Sequence, residues 1–158
     1  MDDKRALLRH TIATLAYRVA KAVKDAPPEF ASYRASESSR TPVQILAHMG
    51  DLMAWSRRLA DGTRKWESST PLDWTAEVER FFALASELES YLAGDAPLHD
   101  SAEKLFQAPI ADALQHTGQL TFLRRASGAP IRGESYHKAE IVAGRVGREQ
   151  AKPKLEFD

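Results

Sequence analysis

The sequence predicts an all-α protein, specifically a four-helix bundle with a short extra helix and an extended C-terminal tail. Four segments carry apolar residues at helical spacing, the joints between them hold proline or glycine, and strand signals are few. A chain of 158 residues is long enough for one compact core. We therefore expect a single domain over residues 1–158, with helices at about 4–25, 41–60, 74–93 and 109–126 and a tail at 131–158.

The first two helices have recognisable ends. Apolar side chains recur every three or four residues from Leu8 to Val19, and the prolines that begin at Pro27 stop the first helix. Thr41 can cap the free amides of the second helix, and Pro42 fits a first helical position, where no N–H donor is needed. Local chemistry thus predicts the start of the second helix, which we expect to end near Gly62.

The third and fourth helices follow the same logic. Asp73 is a suitable N-cap for a helix whose apolar residues run from Val78 to Leu92. We interpret Pro109 as the first-turn proline of the fourth helix, which should end before Gly128.

The last segment is rich in charged residues and glycine. It predicts a short helix near residues 136–143, followed by an extended arm that packs on the bundle through Leu155 and Phe157.

Composition narrows the classes of function. The chain has 22 basic and 22 acidic side chains, so it has no net positive charge that would attract nucleic acid or an anionic membrane. It has no cysteine, which excludes a disulfide framework, a thiolate metal site and a catalytic thiol within the chain. The N-terminal segment is amphipathic and reads neither as a signal peptide nor as a membrane span, so we expect a cytoplasmic protein.

Three side chains on two predicted helices form a candidate metal site. Asp112 and His116 are four residues apart and share one helix face, while His48 lies at the apolar side of the second helix. Two histidines and a carboxylate suit zinc, nickel, iron or manganese with coordination positions left open. The alternative is a set of ordinary hydrogen bonds, with His116 paired to Asp112 or Gln119 and His48 paired to Asp51.

Two segments resemble a known family. They are Thr41-Pro42 with Ile45-Leu46-Ala47-His48, and His116-Thr117-Gly118-Gln119-Leu120 with Leu123-Arg124-Arg125 and Gly128-Ala129-Pro130. From about residue 40 to about residue 130 the chain resembles the DinB-like superfamily of damage-inducible proteins and thiol-dependent transferases. The resemblance implies a helical bundle in which three histidines bind a divalent metal.

Carried over residue by residue, the resemblance makes His48 the first metal ligand and His116 the third. Asp112 stands where the family has its middle histidine, which keeps a possible ligand but changes the charge. The implied metal is zinc or nickel, with iron or manganese next. The implied activity is a metal-dependent transferase that activates an exogenous low-molecular-weight thiol, or a hydrolase, acting on a small-molecule substrate.

A second interpretation belongs to another class of protein. If Asp112 has ended metal binding, the chain is a non-catalytic bundle that binds a ligand or dimerises. The resemblance also implies a homodimer, formed through the first helix or the tail.

Overall fold

The computed structural model describes residues 2–158, and the described chain is mainly helical, as predicted for an all-α protein. Two short strands form the only sheet among these residues, an antiparallel pair in which Gly133 faces Phe157 and Glu134 faces Glu156. The helices are α1 (Asp3–Val23), α2 (Pro42–Asp61), α3 (Trp74–Ala93), α4 (Ala102–Leu105) and α5 (Ala111–Ala126), with a 3₁₀ turn at Pro28–Ser32, a π-helical turn at Phe106–Ile110, and the strands β1 (Gly133–Glu134) and β2 (Glu156–Phe157).

The predicted ends of α2 and α3 are confirmed. The Thr41 hydroxyl accepts a hydrogen bond from the backbone N–H of Gln44, whose side chain accepts one from the N–H of Thr41 at 2.9 Å. Such a reciprocal pair satisfies two amides that the first helical turn leaves free. Gly62 ends α2 with a left-handed φ of 86°, and the Asp73 carboxylate caps α3 at the N–H of Ala76.

The core forms where the long helices meet. α2 packs against α3 and α5, and α1 packs against the same two helices. This arrangement sets α2 beside α5, the two helices that carry the candidate metal ligands. No helix within residues 2–158 is long and apolar enough to cross a membrane. The largest side chains with almost no exposure include Ile12, Leu15, Phe30, Leu46, Met49, Met53, Phe81, Leu88, Leu92 and Leu120.

The beginning of the last long helix differs from the prediction. Pro109 does not open a separate helix, because helical backbone already starts at Ala102 and reaches α5 through the π-helical turn that contains Pro109. Proline has no N–H to donate, so a regular helical turn cannot be completed through it. The N–H of Ala111 reaches back five residues to the carbonyl of Phe106, which is the wider π pattern.

The tail also corrects two expectations. Residues 136–143 form turns rather than a helix. Leu155 and Phe157 remain 43% and 53% exposed, so they do not bury the tail against the helices. Val146 does, at 4% exposure within the core cluster.

A buried polar cluster attaches the tail to α1. The Tyr17 hydroxyl donates to one carboxylate oxygen of Glu134, and the Lys21 ammonium donates to the other at 2.8 Å and to Glu156 at 2.9 Å. Burial, together with the adjacent Glu134 carboxylate, raises the pKa of Tyr17 far above its ordinary value. These charge-assisted contacts give the tail a fixed place without a large apolar surface.

Candidate metal centre

His48 lies on the second turn of α2, at the edge of the apolar face. Its neighbours along the helix, Ala47 and Met49, are buried in the interior, whereas the His48 side chain keeps 24% of its surface exposed. The imidazole therefore sits between the packed interior and solvent, where one ring edge can meet another helix.

Asp112 and His116 lie one turn apart on α5, which puts both side chains on the face that meets α2. His116 is buried at 8% exposure, while the Asp112 side chain is 40% exposed. The carboxylate is thus the part of the site that solvent and small molecules reach first.

The three side chains converge as the sequence predicted. Nε2 of His48 is 3.4 Å from one carboxylate oxygen of Asp112, and Nε2 of His116 is 3.4 Å from the other. The two imidazole rings are nearly perpendicular, with centroids 4.9 Å apart. One donor atom from each residue falls within 4.8 Å of the others.

These separations fit a shared ion. Two ligands at about 2.1 Å from a tetrahedral centre are about 3.4 Å apart. Charge-assisted N–H···O hydrogen bonds are shorter, at about 2.7–2.9 Å. His48, Asp112 and His116 could therefore hold a metal ion through two nitrogens and the Asp112 carboxylate, each of whose oxygens faces one histidine.

Gln119 fixes the orientation of the buried histidine. Its side-chain oxygen lies 2.7 Å from Nδ1 of His116, one turn further along α5. With Nδ1–H donating to this amide oxygen, Nε2 carries the free lone pair and points at Asp112. Both contacts anticipated for His116, to Asp112 and to Gln119, are present, and the Gln119 contact selects the tautomer that a metal ligand needs.

The electrostatics of His48 favour its neutral form. Burial lowers the pKa of His48 below its ordinary value, and the nearby His116 and Arg40 lower it further, while the contact with Asp112 raises it by less. A neutral imidazole has a nitrogen lone pair available at neutral pH. The site therefore presents a ligand set that does not need to release a proton from His48 first.

Asp51 does not pair with His48, contrary to the hydrogen-bonding alternative. Its carboxylate accepts from the backbone N–H of Ser69 at 2.9 Å, from the Ser69 hydroxyl at 2.7 Å and from Arg80 at 3.1 Å. Gly50 leaves space for this arginine, since a Cβ there would come within 2.9 Å of the guanidinium carbon. Asp51 thus anchors the loop between α2 and α3 instead of orienting the histidine.

That loop carries Trp66 to the metal centre. The indole meets the His48 ring at a centroid distance of 5.8 Å and the Trp55 ring at 5.4 Å, both in edge-to-face geometry. Trp74 lies elsewhere, against Phe30 at 5.5 Å. Trp55 and Trp66 therefore lie beside His48, and Trp74 does not.

An open groove of about 370 Å³ leads to Asp112. One side is formed by α2, and the other by the π-helical turn and the first turn of α5. The lining residues are Leu52, Trp55, Gln107, Ala108, Ala111, Asp112 and Gln115.

The other histidines, and the buried Arg124, lie outside this constellation. His10, His99 and His137 are exposed. Arg124 is buried, and its guanidinium donates to the carbonyls of Ala22, Lys24 and Ala129, which ties the end of α1 to the end of α5. Its role is structural.

Comparison of the chain with protein-family models, with curated proteins and with solved structures found no match.

Proposed function

We propose that this chain is a DinB-like four-helix bundle that binds a divalent transition metal and works as a thiol-dependent S-transferase. The observation that carries the proposal is the convergence of His48, Asp112 and His116 from two helices within 4.8 Å. The resemblance of the segments around His48 and His116 to the DinB-like superfamily supports the same assignment.

Each residue of the centre has a distinct part. His48 and His116 supply neutral nitrogen ligands, and Asp112 supplies a carboxylate oxygen between them. Gln119 holds the tautomer of His116, and Trp66 packs against the ring of His48. Three protein ligands leave positions for a substrate atom, as catalytic metal sites require.

The donor set narrows the choice of ion. Two imidazoles with one carboxylate suit zinc or nickel, and also accommodate iron or manganese. The absence of cysteine means that any thiol must come from a small-molecule substrate. When bound, the ion would supply Lewis-acid chemistry that lowers the pKa of such a thiol toward neutrality.

The protein supplies the surroundings of that chemistry. Asp112 is the most exposed of the ligands and faces the groove, so an incoming electrophile approaches from its side. The indole of Trp66 packs edge-to-face against the His48 ring, so this ring meets protein on that side.

The test is elemental analysis of tag-free protein by inductively coupled plasma mass spectrometry. We expect about one zinc or nickel per chain, lost in His48→Ala and in His116→Ala and retained in the matched variant His10→Ala, whose histidine is exposed on α1. Absence of metal after incubation with zinc, nickel, iron and manganese would contradict the proposal. Metal-loaded protein is then assayed with glutathione and a chromogenic electrophile, and with a nitrophenyl ester to detect hydrolysis instead.

One observation favours a second candidate, a non-catalytic bundle that binds a ligand or dimerises. The Asp112 carboxylate contacts both histidines, so the group can satisfy itself without an ion. Protein that takes up no metal but binds a small molecule or dimerises would support this candidate.

A further inference from the structure

The groove beside Asp112 has a composition that selects among ligands. Its α2 side offers the half-buried Trp55 indole and the buried Leu52 side chain. The facing side offers the small residues Ala108 and Ala111, which leave width for a flat group. A volume of about 370 Å³ is within the usual range for small-molecule sites, about 300–1,000 Å³.

The polar groups of the groove are almost all uncharged. Gln107 and Gln115 line it with side-chain amides, and Asp112 is the one ionisable residue among the described residues that form it. A carboxamide both donates and accepts hydrogen bonds, so it matches an amide or carbonyl group of a ligand. In the metal-free protein a ligand carboxylate would find no cation on these walls and would face the Asp112 carboxylate.

The backbone provides an independent reason to regard this as a built site. Gln107 and Ala108 belong to the π-helical turn, where Pro109 interrupts the regular hydrogen-bond ladder. Such wide turns inside helices occur frequently at functional sites. Here the turn places two lining residues opposite Trp55.

From these observations we infer that the groove binds an uncharged, planar aromatic compound with an amide or carbonyl group. Its ring lies against Trp55 and Leu52, and its polar group meets the amides of Gln107 and Gln115. The inference rests on the proposed function, because it makes this ligand the substrate that reaches the metal centre. It goes beyond the proposed function by naming the chemical class of that substrate.

The experiment is an NMR titration of the full ¹⁵N-labelled chain after removal of metal by EDTA, with three matched probes. Benzamide carries the ring and the amide, cyclohexanecarboxamide lacks the planar ring, and benzoate replaces the amide by a charged group. We expect benzamide to bind most tightly, cyclohexanecarboxamide about tenfold more weakly and benzoate most weakly. Benzamide should shift the indole N–H of Trp55 and the side-chain amides of Gln107 and Gln115, but not that of Gln150, which is engaged in the tail.

Two substitutions sharpen the test. Trp55→Ala should weaken benzamide binding by about tenfold through loss of the stacking surface. Trp74→Phe is the matched control, since this indole contacts Phe30 instead of the groove, and it should leave the affinity unchanged. Equal affinities for the ring and its saturated analogue, tighter binding of benzoate, or no shifts with any probe would overturn the inference.

Zinc uptake, measured on aliquots of the same protein that are reloaded with zinc after the EDTA is removed, separates the two proposals. Benzamide binding by a chain that takes up no zinc would support the groove assignment as a ligand site and refute the metal centre. Zinc binding without benzamide binding would overturn the groove assignment and leave the metal centre standing.

Discussion

Replacement of Gln119 by alanine should weaken metal binding without unfolding the protein. The substitution removes the 2.7 Å hydrogen bond that holds Nδ1 of His116 and leaves every direct ligand in place. Outer partners of ligating histidines are typically worth about 10–100-fold in metal affinity, or about 1.4–2.7 kcal/mol. The exposure of Gln119 allows water to replace its amide, and the burial of His116 limits rotation of the ring. Both facts place the expected loss near tenfold.

The assay is competition for zinc between the protein and a chromophoric chelator at fixed pH, with circular dichroism to confirm that the helices remain. Gln115→Ala is the matched control, because this exposed glutamine lies on the same helix. Among the described hydrogen bonds, the partner of His116 Nδ1 is Gln119 and not Gln115. Gln119→Glu should recover the affinity, since a carboxylate oxygen can accept the same N–H bond.

Two results would refute this reasoning. One is an unchanged zinc affinity for Gln119→Ala, and the other is a Gln119→Glu variant that binds zinc more weakly than Gln119→Ala does. The tautomer can also be read in metal-free protein from the ¹⁵N shifts of the His116 ring. Wild-type protein should carry the proton on Nδ1, and a proton on Nε2 would contradict the role given to Gln119.

Three further predictions concern stability. Thr41→Ala should lower the free energy of unfolding in urea by about 1 kcal/mol, because it breaks the capping pair with Gln44; no change would mean that solvent caps α2 equally well. Absorbance titration should show one of the four tyrosines ionising only well above pH 10, a signal absent from Tyr17→Phe. Since folding raises this pKa, its contribution to stability is complete below about pH 10 and is lost as pH rises through the folded value; four tyrosines titrating together near pH 10 would contradict it. Asp51→Ala should cost about 1–3 kcal/mol in urea by releasing the α2–α3 loop, and an unchanged free energy of unfolding would show that Asp51 does not anchor this loop.

The parts of the fold that sequence could predict are those governed by local chemistry. Thr41 and Asp73 cap their helices through hydrogen bonds to residues three positions away, and Gly62 supplies a left-handed conformation that few other residues adopt. The meaning of Pro109 is not local in the same way. Proline suits either the first turn of a helix or an interruption within one, and the packing of the preceding turn decides between them.

The tail was mispredicted for a related reason. Its apolar residues are too few to show which of them is buried, and the one that packs most completely is Val146. The attachment comes mainly from Glu134, whose partners Tyr17 and Lys21 lie more than a hundred residues earlier in the chain. No short-range periodicity carries that information.

The candidate metal centre also has one part that the sequence could predict and one part that it could not. The spacing of Asp112 and His116 on one helix was enough to predict that they face the same way. The partner of His48 was not predictable from spacing, because Asp51 is one turn away and Asp112 is 64 residues away. Ser69 and Arg80 engage Asp51, and this long-range contact leaves Asp112 as the carboxylate that reaches both histidines.

The charge of the centre connects the proposed metal site with the proposed ligand of the groove. Ligating histidines are neutral, so Asp112 contributes the only negative charge among the three protein ligands. A divalent ion held by them would leave one net positive charge, which an anionic thiol substrate would offset. A second substrate would then approach along walls made of Trp55, Leu52, alanines and glutamine amides. In such surroundings an ionic group on that substrate would lose hydration without gaining a partner, and this penalty favours an uncharged molecule.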